Sequence, residues 1–162
     1  MARDLAASDA ATVWVVNIYH LGSVICLLPA AALGEILGLK RVYAAGLILF
    51  TLSSLACGLA GSTGQLVVFR CLQGLGAAMM LPQVLSTIQR SFPGPSRAGA
   101  MRKYSAVIAG GSVVGQVLGG ALVNADLFGS SWRPVFLVNV PIGLVLLVLS
   151  AKSLPADKGE PG

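Results

Sequence analysis

Apolar residues fill five long stretches of the chain, and polar residues are largely confined to the short segments between them. The stretches are Val13–Leu33, Val42–Ala60, Gln65–Ile88, Tyr104–Val123 and Arg133–Leu154. Each is about 19–24 residues long, and a helix needs about 20 to cross the hydrocarbon core of a bilayer. No stretch alternates apolar and polar residues at period two, which is the pattern of a membrane barrel strand. The prediction is an all-α integral membrane bundle of five transmembrane helices, over about 13–33, 42–60, 65–88, 104–123 and 133–154. Residues 1–154 then form one transmembrane domain, and 155–162, PADKGEPG, a polar cytoplasmic tail.

Composition strengthens this picture. Hydrophobic residues make up 56% and charged residues 10% of the 162, against about 25% charged in a soluble domain. Mean hydropathy is +0.83. The net charge of +5 does not point to nucleic acid, because the basic residues follow the membrane pattern. Eight of the eleven (Lys40, Arg41, Arg90, Arg97, Arg102, Lys103, Lys152 and Lys158) fall in alternate links or the tail. Only Arg3 and Arg133 fall on the other side. By the positive-inside rule the basic links are cytoplasmic, the N-terminus faces outside and the C-terminus faces inside, in a multi-pass protein of the cell (inner) membrane. Asp4 and Asp9 precede a first run long enough to span, which is not the pattern of a secretory leader. Cys26, Cys57 and Cys71 each lie inside a run, without a paired spacing, so neither a metal site nor a disulfide framework is expected.

The links are short. Gly61–Gly64 reads GSTG and is a turn. Arg90–Lys103, RSFPGPSRAGAMRK, is expected to be a cytoplasmic loop with at most a short interfacial helix. Asn124–Trp132 is an external link whose aromatic end suits the interface. Pro29, Pro82 and Pro141 lie inside runs and remove helix hydrogen bonds. Five helices cannot be two complete triplets, the repeat from which many transporters are built. One further helix before residue 1 would complete six and bring the N-terminus inside.

The chemistry lies in the polar exceptions. Arg70 sits within the third run, where a charge is costly and usually functional. Arg70, Gln73, Gly74, Ala77 and Leu81 fall on one helical face, expected to face other helices rather than lipid. One reading is a proton-relay or substrate-cavity arginine; the plainer one is a side chain snorkelling to the nearby interface. Asn17 and His20 lie near the outer end of the first run, and His20 is the one histidine. It is either a titrating group or an ordinary interfacial polar residue. Glu35 falls where a helix C-terminus disfavours negative charge, and Lys40 and Arg41, across a turn at Gly38, are the nearest compensating cations. Gly111, Gly115 and Gly119 recur at spacing four, with Gly120 beside the last. They form a flat groove for close helix approach, serving either packing alone or rearrangement between conformations.

These segments resemble the N-terminal half of a major facilitator superfamily transporter, most closely the fourteen-helix drug:proton antiporters. LGEILGLKRV resembles that family's motif A, with Glu35 for the usual aspartate, Leu39 for a basic residue, and Gly38, Lys40 and Arg41 in place. LVVFRCLQGLGAA resembles motif B, with Arg70, Gln73, Gly74 and Gly76. GSVVGQVLGG resembles motif C, with Gln116 where proline is usual, and WRPVFLVNVPIG resembles the start of helix 6. The resemblance runs from about Ala2 to Pro155 and implies helices 2–6, a partial N-terminal half.

It further implies efflux of small amphipathic molecules by alternating access, driven by a proton gradient and without a cofactor. Arg70 and its neighbours would couple proton to substrate, and Glu35, Lys40 and Arg41 would form a cytoplasmic latch. The partners implied are the lipid bilayer, helix 1 and the C-terminal half, or another subunit. The alternative is a truncated or split-gene membrane protein with no transport activity alone. An enzyme is not expected, because no nucleophile, base or metal set is clustered.

Overall fold

The computed structural model describes residues 9–125 and 132–153. The polar tail read at 155–162, most of the 124–132 link and the residues before Asp9 lie outside these. The described chain is helical and contains no strand. Its elements are α1 (Asp9–Leu37), α2 (Leu39–Leu59), α3 (Thr63–Ser91), α4 (Pro95–Asn124), α5 (Arg133–Leu137) and α6 (Asn139–Ser153). Five spans are long and apolar enough to cross a membrane, the last running through α5 and α6 together. In lipid a backbone must satisfy its own hydrogen bonds, so apolar runs become helices.

The helices outrun the apolar stretches, and the joints between them are correspondingly tight. Only Gly38 separates α1 from α2, with φ 97° and ψ 135°, a conformation open to glycine and strained for other residues. At the opposite end of the bundle Ser62 caps α3, its hydroxyl accepting from the Gln65 amide at 3.3 Å. The Gln65 side chain reaches back to the Gly61 N–H at 3.0 Å, a reciprocal arrangement like a capping box. The expected loop over 90–103 is a correction. Arg90 and Ser91 end α3, Phe92–Gly94 make the turn, and residues from Pro95 onward already belong to α4. Gly94 at φ 58° and proline in the first turn start that helix.

The fifth stretch is one span, as expected, with one interruption. It is interrupted at Val138, where Pro141 in the first turn of α6 has no N–H to offer the Leu137 carbonyl. Val138 keeps helical dihedrals (φ −63°, ψ −25°), and its N–H still reaches the Pro134 carbonyl at 3.0 Å.

The core is a sandwich of α1, α3 and α2, with α5 and α6 against α2. Small residues set the spacing. A Cβ on Gly76 of α3 would lie 2.7 Å from the Phe50 amide nitrogen of α2, and one on Gly46 would lie 2.8 Å from the Gly76 carbonyl. Gly143 of α6 gives the same clearance to the Thr51 hydroxyl. α2 buries nine residues, including Leu47, Ser54 and a fully buried Cys57, whereas α4 buries none. At the Ser62 end, Val15, Cys57, Ala60, Leu66 and Trp132 form a dry cluster.

Basic side chains close several helix ends. Arg133 donates to the Gly58 and Ala60 carbonyls at the end of α2, at 2.9 and 3.0 Å. Arg97 donates to Gln89 and Phe92 at the end of α3, and Lys40 to Ala151 at the end of α6. A cation at a helix C-terminus satisfies carbonyls that have no partner in the helix and opposes the negative dipole end.

Candidate functional site

Arg70 lies about 10 Å along α3 from its first residue, at 1.5 Å per residue. Its guanidinium is turned toward α1. Nε donates to the Val15 carbonyl at 3.2 Å, and Nη1 donates to Gln73 Oε1 at 2.7 Å. Gln73 is buried and passes the connection on, its Nε2 donating to the Ser54 hydroxyl of α2 at 2.7 Å. One polar string thus ties α1, α3 and α2. Two rings flank the cation: Cζ stands 4.5 Å from the Tyr19 centroid and 5.5 Å from that of Phe136.

Gly74 makes this possible one turn further on. A Cβ there would collide with the Tyr19 carbonyl and come within 3.2 Å of the Ser23 nitrogen. The Ser23 hydroxyl occupies the same seam, 2.8 Å from the Tyr19 carbonyl and 3.0 Å from that of Gly74. With no side chain at Gly74, α1 approaches closely enough for Arg70 to reach its backbone.

The structure brings Arg70, Gln73 and Gly74 together, and leaves Asn17 and His20 exposed on α1. His20 touches the group only through an edge contact with Tyr19, at 5.3 Å between centroids. Leu81, expected on the inward face, is 44% exposed, unlike the buried Gln73, Gly74 and Ala77. It lines an open groove of about 450 Å³ with Leu27 and Leu28 of α1 and Tyr104 of α4. Tyr19, Ser23, Ser54 and Phe136 complete the site without having been singled out for it. An aromatic residue in the run nearest an intramembrane cation was a usable signal for Tyr19. Phe136, 66 residues from Arg70, gave none.

At the Gly38 end, Glu35 in the last turn of α1 pairs with Arg90 in the last turn of α3. This corrects the expected compensation by Lys40 and Arg41. Lys40 is directed to α6, and Arg41 is exposed. The chain reverses at Gly38, carrying those cations onto α2, while α3 brings its own cation alongside α1. Nearby, Gln83 donates to the Ala30 carbonyl at 2.8 Å, and its Oε1 lies in the space left by Gly34, buried without a hydrogen-bond partner. A cavity of about 270 Å³ opens beside it between α2, α3 and α6. The glycines at 111, 115, 119 and 120 face open space, with nothing within 4 Å of where a side chain would begin. Among the described residues no three His, Cys, Asp or Glu side chains gather to hold a metal.

Comparison with known proteins agrees with this architecture. The sequence model of the Major Facilitator Superfamily matches residues 1–162. The chain is 42% identical over 152 residues to an MFS-type transporter of Mycobacterium tuberculosis, covering 94% of this chain and 26% of the relative. It is 38% identical to the probable actinorhodin transporter of Streptomyces coelicolor, covering 96% and 27% respectively. It is 40% identical to the cephamycin export protein of Amycolatopsis lactamdurans, covering 98% and 32%. The chain therefore spans between about a quarter and a third of the length of these relatives. With five apolar helices of membrane length and a match along its whole extent, this multi-pass membrane chain belongs to the Major Facilitator Superfamily.

Proposed function

We propose that the intact protein is a proton-coupled exporter of small amphipathic molecules in the fourteen-helix drug:proton branch, and that this chain supplies helices 2–6 of one half. The observation that carries the reading is Arg70. An always-charged guanidinium is held within a membrane span by a carbonyl, an amide and two rings, and no carboxylate of the described residues pairs with it. Its bonds to described residues use two of its five N–H donors. A carboxylate from another helix, or an anionic or proton-accepting group on the substrate, would be held deprotonated beside it and released on protonation. That is the elementary step of coupling a proton to a cargo. The relatives that carry actinorhodin and cephamycin in their names support antibiotic-like, partly apolar cargo.

The same reading sets orientation. The contacts Glu35–Arg90, Lys40–Ala151 and Arg97–Gln89 gather the basic segments at one end, which the positive-inside rule assigns to the cytoplasm of a cell membrane. The Glu35–Arg90 pair is half exposed and worth under about 1 kcal/mol, a strength suited to a latch that opens in each cycle. The remaining helices would fill the second half of the translocation path. α4, with no buried residue and an unoccupied glycine face, favours a second statement: the 162-residue chain alone does not transport.

The decisive experiment is drug-dye efflux driven by an imposed pH gradient in everted vesicles holding the intact transporter at matched abundance. Arg70→Ala should abolish gradient-driven efflux, and Arg70→Lys should be poor because lysine lacks the planar fork. Normal efflux by both variants would refute the coupling role. Gradient-driven efflux by the 162-residue chain alone would refute the second statement.

A further inference from the structure

We propose that Tyr19 and Phe136 are positioning residues that fix the direction in which Arg70 presents its remaining donors. The proposal rests on the reading of Arg70 as the coupling cation. It goes further by naming what aims that cation and which element carries half of the aim.

The two rings come from different helices, α1 and α5. A ring face attracts a guanidinium and leaves its N–H donors pointing out along the plane edge. With Nε on Val15 and Nη1 on Gln73, the Nη2 edge is the part left to face an incoming acceptor. Without the rings, those two hydrogen bonds leave the guanidinium free to roll about the line joining their acceptors.

Each ring is in turn held in place. Tyr19 is set by the Gly74 seam, where its carbonyl meets the backbone of α3 and the Ser23 hydroxyl. Phe136 stands edge-on to Trp132, 5.8 Å between centroids, and Trp132 is sunk in the cluster with Val15, Cys57 and Leu66. Arg133 fastens the same short helix to the end of α2, and Leu137 lies against Gly58, where a Cβ would meet it at 2.5 Å. These contacts fasten α5 to α2. A displacement of α1 against α2 separates the two rings and lets Arg70 turn, which links helix movement to the direction of the charge.

Among the described residues the titratable or charged groups about this clamp are Tyr19 and His20 on α1, Cys57 on α2 and Arg133 on α5, and none of these is a carboxylate.

The test uses the intact transporter with Tyr19→Phe, Tyr19→Met, Phe136→Tyr and Phe136→Met, with Arg70→Ala alongside. The methionines keep volume and apolarity and lose the π face. The expected result is near-normal efflux for Tyr19→Phe and Phe136→Tyr. Each methionine variant should lose about tenfold in gradient-driven rate, the scale of a desolvated cation–π contact, with a displaced pH midpoint. A second readout needs no transport: phenylglyoxal modification of Arg70 in detergent, followed by mass spectrometry of its peptide. Both methionine variants should raise that rate severalfold, measured on the folded fraction if abundance falls. If Arg70→Ala is silent, the coupling reading fails. If Arg70→Ala abolishes efflux while the methionine variants keep wild-type pH profile and labelling rate, the clamp alone is overturned. Equal losses in the aromatic-retaining and methionine variants would also overturn it, since the ring would then not be what matters.

Discussion

α3 and α4 are alike as sequences and unlike as structures. They have 29 and 30 residues, and each carries several small residues within the span. On α3 they are used on two sides: Gly74 meets the backbone of α1, Gly76 that of α2, and Ala77 and Ala78 are buried. On α4, Gly111, Gly115, Gly119 and Gly120 meet nothing. A small-residue face thus has two meanings. Filled, it is a constraint that fixes helix distance and brings Arg70 to α1. Open, it is a helix face that no described residue touches.

The largest effects should separate the two faces. Gly76→Val should destabilise the chain by about 3 kcal/mol or prevent its folding, since the new side chain would strike backbone rather than a yielding side chain. Gly115→Val should leave the melting temperature of the chain in detergent unchanged, and should cut efflux in the intact transporter. If Gly115→Val lowers the melting temperature as Gly76→Val does, the distinction between the faces is lost.

Gln73→Leu sharpens the comparison within α3. It leaves Nη1 of Arg70 without its acceptor and Ser54 without its donor, a loss of about 1–3 kcal/mol, measured by the same melt. Arg133→Ala removes two charge-assisted hydrogen bonds from the end of α2 and should cost about 1–2 kcal/mol, while freeing α5 to move. Glu35→Gln should have the smallest effect on stability, under about 1 kcal/mol at a half-exposed pair. A double-mutant cycle with Arg90→Gln would measure it. A coupling energy well above that range would mean the pair is less solvated than the structure has it.

The five spans were legible because lipid allows a backbone few solutions, and length and hydropathy reveal them directly. The turn at Gly38 was legible as a glycine between runs, and Arg70 and Gln73 stood out as polar atoms where water is absent. What escaped the sequence depended on proximity in space. Glu35 was assigned its near neighbours Lys40 and Arg41, but the helix reversal hands it to Arg90, 55 residues on. Lys40, Arg97 and Arg133 were read through the positive-inside bias. That bias groups Lys40 and Arg97 at one end of the bundle and accounts for none of the helix ends the three close. The start of α4 was marked in advance by Gly94 and Pro95, a signal outweighed by the polarity of the segment that follows. The break at Val138 was implicit in Pro141, which has no N–H to offer.

Gly38 carries a consequence for the gene. The joint between α1 and α2 is one residue long, at a φ of 97°. Any single-base missense change in a glycine codon yields alanine, valine, serine, cysteine, arginine, tryptophan, aspartate or glutamate, and each adds a Cβ that this backbone cannot easily hold. Nor is there slack on either side for a deletion or an insertion to be absorbed. In a saturation library of the intact gene, codon 38 should be a point where synonymous changes survive and others do not, flanked by exposed positions such as 36 and 41 that tolerate much more. A joint this short leaves the hairpin no gradual route to a different geometry.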